Sequence, residues 1–225
     1  MIVKPKVRGF ICTTAHPVGC EAVVKNEIEY VKSKRAEDNG FKPKKVLVLG
    51  CSMGYGLASR ISLAFGAGAA TLGVMFDRPA SGNKTGTSGW YNTQAFEKFA
   101  KADGLYARTV NGDAYSDECK KEVIDIIKSD LGKVDCVVYS LAAPRRTVGD
   151  VTYSSVLKTT GEPYTNKTID LRNNTVSEVT IEPATEDEIT ATVKVMGGED
   201  WAAWIDALKA ADAIEDNAVT VAYSY

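Results

Sequence analysis

Continuous apolar runs and helix-spaced apolar positions alternate along this chain. Lys45-Val-Leu-Val-Leu49 is a buried run ending at Gly50, and Thr71-Leu-Gly-Val-Met-Phe76 is a second, ending at Asp77. Leu105–Val110 reads as a weaker strand, Val134–Tyr139 as a strong one, and Ala218–Tyr225 as the last. Between them Leu57, Ile61 and Ala64, then Phe96, Phe99 and Ala100, then Val123, Ile127 and Leu131 recur at helical spacing. Strands apolar on both sides, separated by amphipathic helices, predict an α/β fold with a parallel sheet covered on both faces.

Two segments depart from this rhythm. Val24, Ile28 and Val31 predict an extra helix in the N-terminal region 1–43, ahead of the first core strand. After Tyr139 the chain becomes rich in Thr, Asn and Gly, and an inserted segment is expected over about residues 147–183. Within it, Thr168–Arg172 and Thr175–Val179 alternate around Asn173-Asn174, which predicts a β-hairpin. Thr185-Glu-Asp-Glu188 has the spacing of a capping box and opens a helix with Ile189, Val193 and Met196 on one face. Trp201, Trp204, Ile205 and Leu208 form the stripe of the next helix, and they read as plain core. With 225 residues, a single domain is expected.

The chemistry concentrates at the end of the first core strand. Gly50-Cys-Ser-Met-Gly54-Tyr-Gly56 is a G-x-x-x-G-x-G string placed after a buried strand and opening a helix. Glycines let the backbone approach a pyrophosphate, and a helix N-terminus offers free N–H groups and a positive dipole. The alternative is a tight strand-to-helix turn without a ligand. Asp77 ends the second strand, where a carboxylate can bind the adenosine ribose diol and repel the 2′-phosphate of NADPH; NADH is therefore the expected cofactor, with Arg78 beside it partly offsetting the repulsion. Asp113-Ala114 follows the third strand, where Asp113 can accept from an adenine amino group. Ser140-Leu-Ala-Ala143 follows the fourth, with small residues beside which a nicotinamide ribose can lie. The fold class that results is a Rossmann-like doubly wound parallel sheet.

Composition narrows the partners. With 27 Lys and Arg against 29 Asp and Glu the net charge is −2, which offers no field for nucleic acid or anionic lipid. No apolar stretch approaches the roughly 20 residues that span a bilayer, so an integral membrane protein is not expected. Five scattered cysteines without a C-x-x-C predict a reducing, cytoplasmic setting. Cys12-x3-His16-x3-Cys20 matches no standard zinc spacing, so no metal is expected and His16 reads as a packed or capping residue beside Pro17. Cys51 reads as a small packing residue, with a reactive thiol at the helix N-terminus as the alternative.

Several strings are more specific than any of these patterns. Lys4-Pro-Lys-Val-Arg-Gly-Phe-Ile-Cys-Thr-Thr-Ala-His-Pro-Val-Gly-Cys20, the glycine loop, Gly89-Trp-Tyr-Asn92, Val138-Tyr-Ser-Leu-Ala-Ala-Pro-Arg-Arg146 and Val195-Met-Gly-Gly-Glu-Asp-Trp201 resemble the FabV-type enoyl-ACP reductases and the related trans-2-enoyl-CoA reductases. The resemblance runs from residue 1 to 225. It implies an extended short-chain dehydrogenase/reductase fold that uses NADH to reduce trans-2-enoyl-ACP or enoyl-CoA thioesters in fatty-acid synthesis, and that is monomeric at full length. It maps cofactor contacts to Gly50, Cys51, Ser52, Met53, Gly54, Tyr55, Gly56, Phe76, Asp77, Asp113, Ala114, Leu141 and Ala142, and a substrate contact to Tyr225. The family's catalytic Tyr-x8-Lys pair is expected beyond residue 225. The chain therefore reads as C-terminally truncated, inactive alone and poorly stable, with its last strand an edge that carries no charge. A non-catalytic NAD(H)-binding module is the alternative.

Overall fold

The computed structural model describes residues 2–8, 11–34 and 40–223. Its elements run β1 (Val7–Arg8), β2 (Ile11–Cys12), α1 (Pro17–Ser33), β3 (Lys45–Leu49), α2 (Gly54–Ile61), β4 (Ala70–Met75), α3 (Ser88–Ala102), β5 (Ala107–Asn111), α4 (Asp117–Ile126) and β6 (Val134–Tyr139). They continue as β7 (Arg145–Val148), β8 (Val151–Ser154), β9 (Tyr164–Asp170), β10 (Thr175–Ile181), α5 (Glu186–Met196), α6 (Glu199–Ala210) and β11 (Ile214–Ala222). Single π-helical turns, Ser62–Gly66 and Ile127–Leu131, extend α2 and α4. The chain divides into two compact units: Ala15–Leu141 with Trp201–Tyr225, and Met1–Thr14 with Ala142–Asp200.

The larger unit is built on a five-stranded sheet in the order β11-β6-β3-β4-β5. All its pairings are parallel. Because side chains alternate along a strand, Leu47 and Leu49 of β3 face one layer and Val46 and Val48 the other, and all four are fully buried. Leu47, Leu49, Leu72, Val123, Ile127, Trp204 and Leu208 belong to one cluster, which joins the sheet to α4 and α6. Val24 and Ile28 of α1 cluster with Leu57, Ile61, Phe65 and Phe96. The doubly wound reading is thus correct, and the expected N-terminal helix and the Trp204/Leu208 stripe are in place.

His16 caps α1. Its Nδ1 accepts the Gly19 N–H at 3.2 Å, and Pro17 occupies the first helical turn. β11 is the edge expected of the last strand, but it begins earlier than the apolar run suggests. It starts at Ile214, includes Glu215 and Asp216, and carries a register break between Ile214 and Val219. Charges and a bulge protect an edge from pairing with another chain, so the expectation of an unprotected edge is corrected.

The smaller unit holds three antiparallel hairpins, β1–β2, β7–β8 and β9–β10. In the last of these Asp170 pairs with Thr175 around the Asn173-Asn174 turn, where Asn174 takes φ 56°. The Thr185/Glu188 capping box is complete. Of the face expected for α5, Ile189 and Met196 are half-buried, but Val193 is 56% exposed and Val195 is the buried valine. Arg146 is buried within this unit, where Nη1 donates to the Lys194 carbonyl and to Glu199 Oε2, both at 2.8 Å.

One surface cluster of the larger unit has a pH signature. The Asp130 carboxylate takes hydrogen bonds from Ser129, Tyr106 and Arg108, which lower its pKa from 3.8 to about 2. A carboxylate depressed in the folded state stabilises it above its unfolded pKa, and that contribution is lost as pH falls towards the folded value. Asp130→Asn should therefore melt below the parent at neutral pH, with the gap closing between about pH 4 and pH 2. Melting curves across that range check it, and a gap independent of pH would contradict it.

Candidate functional site

The sheet order places the site before any ligand is considered. From central β3 the chain winds outward through β4 and β5, then returns to β6 on the other side, so the winding direction switches between β3 and β6. Open α/β sheets bind ligands in the crevice at the carboxyl ends of strands beside such a switch. The loops after β3, β4, β5 and β6 all leave from that edge. They carry the glycine string, Phe76-Asp77, Asp113-Ala114 and Ser140-Leu141.

The glycine loop is fixed from below and open above. The Gly50 and Cys51 amides both donate to the Val74 carbonyl, at 2.9 and 3.0 Å. A Cβ on Gly50 would lie 2.1 Å from the Ser140 carbonyl oxygen, and one on Gly56 would lie 1.9 Å from that of Gly50, so the turn closes only without side chains there. Gly54 differs. Its φ is +54°, and a Cβ would meet nothing within 4 Å. It starts α2, whose N-cap Met53 makes no side-chain cap hydrogen bond. The first-turn amides of α2 have no intrahelical acceptors and carry the positive end of the helix dipole. A glycine cradle with uncapped amides fits a diphosphate.

Side chains of α3 hold this loop in place. Asn92 Nδ2 donates to the Ser52 carbonyl at 3.1 Å, and Ser88 Oγ donates to Met53 Sδ at 2.9 Å. Tyr55 stacks on Tyr223 with ring centroids 5.0 Å apart, and Tyr223 Oη bonds Ser59 Oγ at 2.9 Å. Cys51 is fully buried, and burial pushes its thiol pKa up against the opposing pull of Arg60. That is the packing reading of Cys51, and the reactive-thiol alternative fails.

Asp77 lies in a defined anion position. Its Oδ1 accepts from Thr87 Oγ1 at 2.7 Å, and a Cβ on Gly89 would fall 2.4 Å from Oδ2, so the carboxylate sits against the N-terminus of α3. Asn111 grips the Asp77 backbone from β5, accepting from its N–H at 2.9 Å and donating to its carbonyl at 2.8 Å. Phe76 beside it is 81% exposed. Asp113 is exposed and forms a local turn, with Oδ1 accepting from the Tyr115 N–H at 3.0 Å. Below it the Ala114 carbonyl accepts from Trp204 Nε1 at 3.0 Å and from Lys120 Nζ at 3.3 Å.

The residues Gly50 to Gly56, Phe76, Asp77, Asp113, Ala114 and Leu141 are thus gathered on one sheet edge. Ala142 opens the smaller unit, and Tyr225 lies outside the described residues. Pattern reading missed the supports: Asn92, Asn111, Thr87 and the indole N–H of Trp204. Only the Gly89-Trp-Tyr-Asn92 string pointed towards any of them.

Known proteins share this sequence and fold. Residues 2–82 match the family profile described as the NAD(P)H binding domain of trans-2-enoyl-CoA reductase. Residues 84–225 match the profile described as its catalytic region. A trans-2-enoyl-CoA reductase [NADH] of Ruminiclostridium cellulolyticum is 62% identical over all of this chain and 57% of its own length. An enoyl-[acyl-carrier-protein] reductase [NADH] of Serratia proteamaculans is 58% identical over all of the chain and 56% of its own. The crystal structure of Treponema denticola trans-2-enoyl-CoA reductase in complex with NAD superposes with a TM-score of 0.94 at 50% identity, over 100% of this chain and 58% of that one. The chain spans little more than half the length of these relatives. Sheet order, glycine cradle and both family profiles agree, and the chain belongs to the trans-2-enoyl-CoA reductase family.

Proposed function

We propose that these residues form the nucleotide-binding part of an NADH-dependent reductase of trans-2-enoyl thioesters, acting on enoyl-ACP or enoyl-CoA. The observation that carries the reading is the uncapped N-terminus of α2, set behind the glycine cradle at the switch between β3 and β6. The NADH complexes and names of the relatives support it. When bound, NADH supplies the hydride that adds to the β-carbon of the enoyl group. The α2 amides take the diphosphate charge, Asp77 the adenosine ribose diol, Asp113 the adenine amino group, and Leu141 and Ala142 the nicotinamide ribose. Tyr225 contacts the substrate, and the Tyr-x8-Lys pair that stabilises the enolate oxygen follows it in the family. Among the described residues no helix is long and apolar enough to cross a membrane. The buried free thiols of Cys51, Cys119 and Cys136 support a reducing, cytoplasmic setting.

Two experiments test this. NADH should bind residues 1–225, and NADH oxidation by crotonyl-CoA should appear once the remaining length of a relative's chain is fused on. Turnover without that fusion would overturn the placement of the catalytic pair, and absence of NADH binding would overturn the whole reading. NADH should also bind more tightly than NADPH. Asp77→Ala should narrow that preference by about tenfold, since one repelling charge near a phosphate is removed. Fluorescence titration with both nucleotides reads the ratio, and an unchanged ratio would remove Asp77 from the ribose site.

A further inference from the structure

Beneath the glycine loop lies a fully buried cation. Arg60 sits in the last turn of α2, with no exposed surface. Its guanidinium donates through Nε to Thr71 Oγ1 at 3.2 Å, and through Nη1 to Thr109 Oγ1 at 2.9 Å and Cys51 Sγ at 3.4 Å. Nη2 donates to the Arg108 carbonyl at 2.8 Å. The guanidinium carbon lies 4.3 Å from the ring centroid of Phe96. The fold makes room for it: a Cβ on Gly73 of β4 would lie 2.5 Å from Arg60 Nη1 and 2.5 Å from Cys51 Sγ.

These partners satisfy hydrogen bonds without neutralising the charge. Two threonines, a thiol, a carbonyl and an aromatic face are all uncharged. Among the described residues the network's carboxylate is Glu97, which accepts the Thr109 hydroxyl proton at 2.6 Å and so reaches the guanidinium through Thr109. A buried charge without a direct counter-ion is costly, and a clamp between strands needs no charge at all. One contact of this cation is Cys51, whose backbone opens the phosphate loop.

We propose that Arg60 is a positioning residue for the cofactor's diphosphate, holding the glycine loop through Cys51 and placing a fixed positive charge behind the α2 amides. This rests on the NADH reading above and extends it to a residue that cannot touch the cofactor. In a low-dielectric layer such a charge acts on an anion at the loop with little screening. Glu97, reaching it through Thr109, sets how much of that charge is cancelled.

The test compares NADH with adenosine, which carries no phosphate, by calorimetry and by NMR titration. Arg60→Gln should raise the NADH dissociation constant about tenfold or more, leave adenosine binding unchanged, and be largely rescued by Arg60→Lys. Glu97→Gln, an isosteric change at a half-buried position, should tighten NADH about two- to fivefold, again without moving adenosine. This second variant decides the matter if Arg60→Gln does not fold. Equal losses for NADH and adenosine would make Arg60 a structural clamp and overturn the proposal, as would an unchanged NADH affinity in Glu97→Gln. A parent protein that fails to bind NADH would instead overturn the functional reading on which the proposal rests.

Discussion

Gly54→Val is expected to remove NADH binding and leave the fold standing. Gly54 holds φ +54° with open space where its Cβ would point. A β-branched residue there suffers backbone strain on the order of 1–3 kcal/mol, well below the roughly 5–15 kcal/mol that holds a domain together. The melting temperature should fall by about 3–10 °C while unfolding stays cooperative. The added methyls would occupy the cradle that the diphosphate needs, so NADH affinity should drop at least about a hundredfold. Gly56→Ala makes the contrast. Its Cβ would lie 1.9 Å from the Gly50 carbonyl oxygen, so that variant should damage loop packing and binding together. Calorimetry beside thermal melting separates the two. A Gly54→Val protein that binds NADH like the parent would remove the cradle argument.

Trp204→Ala should be among the most destabilising single changes in the larger unit. Trp204 is fully buried in the cluster that joins β3, β4 and β6 to α4 and α6, and its Nε1 donates to the Ala114 carbonyl. Deleting a buried tryptophan costs about 3–5 kcal/mol through lost burial and the cavity left behind. The lost hydrogen bond leaves the Ala114 carbonyl held by Lys120 alone and loosens the loop that carries Asp113, so NADH affinity should fall as well. Trp201 is only partly buried and donates to Thr220 Oγ1 on β11; Trp201→Ala should cost clearly less. Denaturant unfolding of the two variants gives the comparison, and equal costs would contradict the layer assignment.

The sheet was legible because its signal is apolar and continuous. Val46 to Leu49 and Val134 to Tyr139 read as strands buried on both faces, and they are; the glycine string was legible because its residue types are demanded by backbone geometry. What escaped was polar. Asn92, Asn111, Thr87 and Arg60 look like solvent-facing residues in any count of hydrophobic positions, yet their hydrogen bonds reach the loops at the site. The β7–β8 hairpin escaped because Arg145-Arg146-Thr147-Val148 shows no apolar alternation and owes its order to pairing and to the buried Arg146. The start of β11 escaped because Glu215-Asp216-Asn217 reads as loop until the bulge is seen. In α5 a valine lay on each candidate face, and periodicity alone could not choose Val195 over Val193.

The most direct test of the NADH site is an amide chemical-shift titration of isotope-labelled protein with NADH. Saturable shifts are expected at Ser52 to Gly56, at Phe76-Asp77, at Asp113-Ala114 and at Leu141, with the opposite ends of the same strands, at Lys45 and Val134, unmoved. Shifts absent from the glycine loop, or centred on those opposite strand ends, would contradict the account.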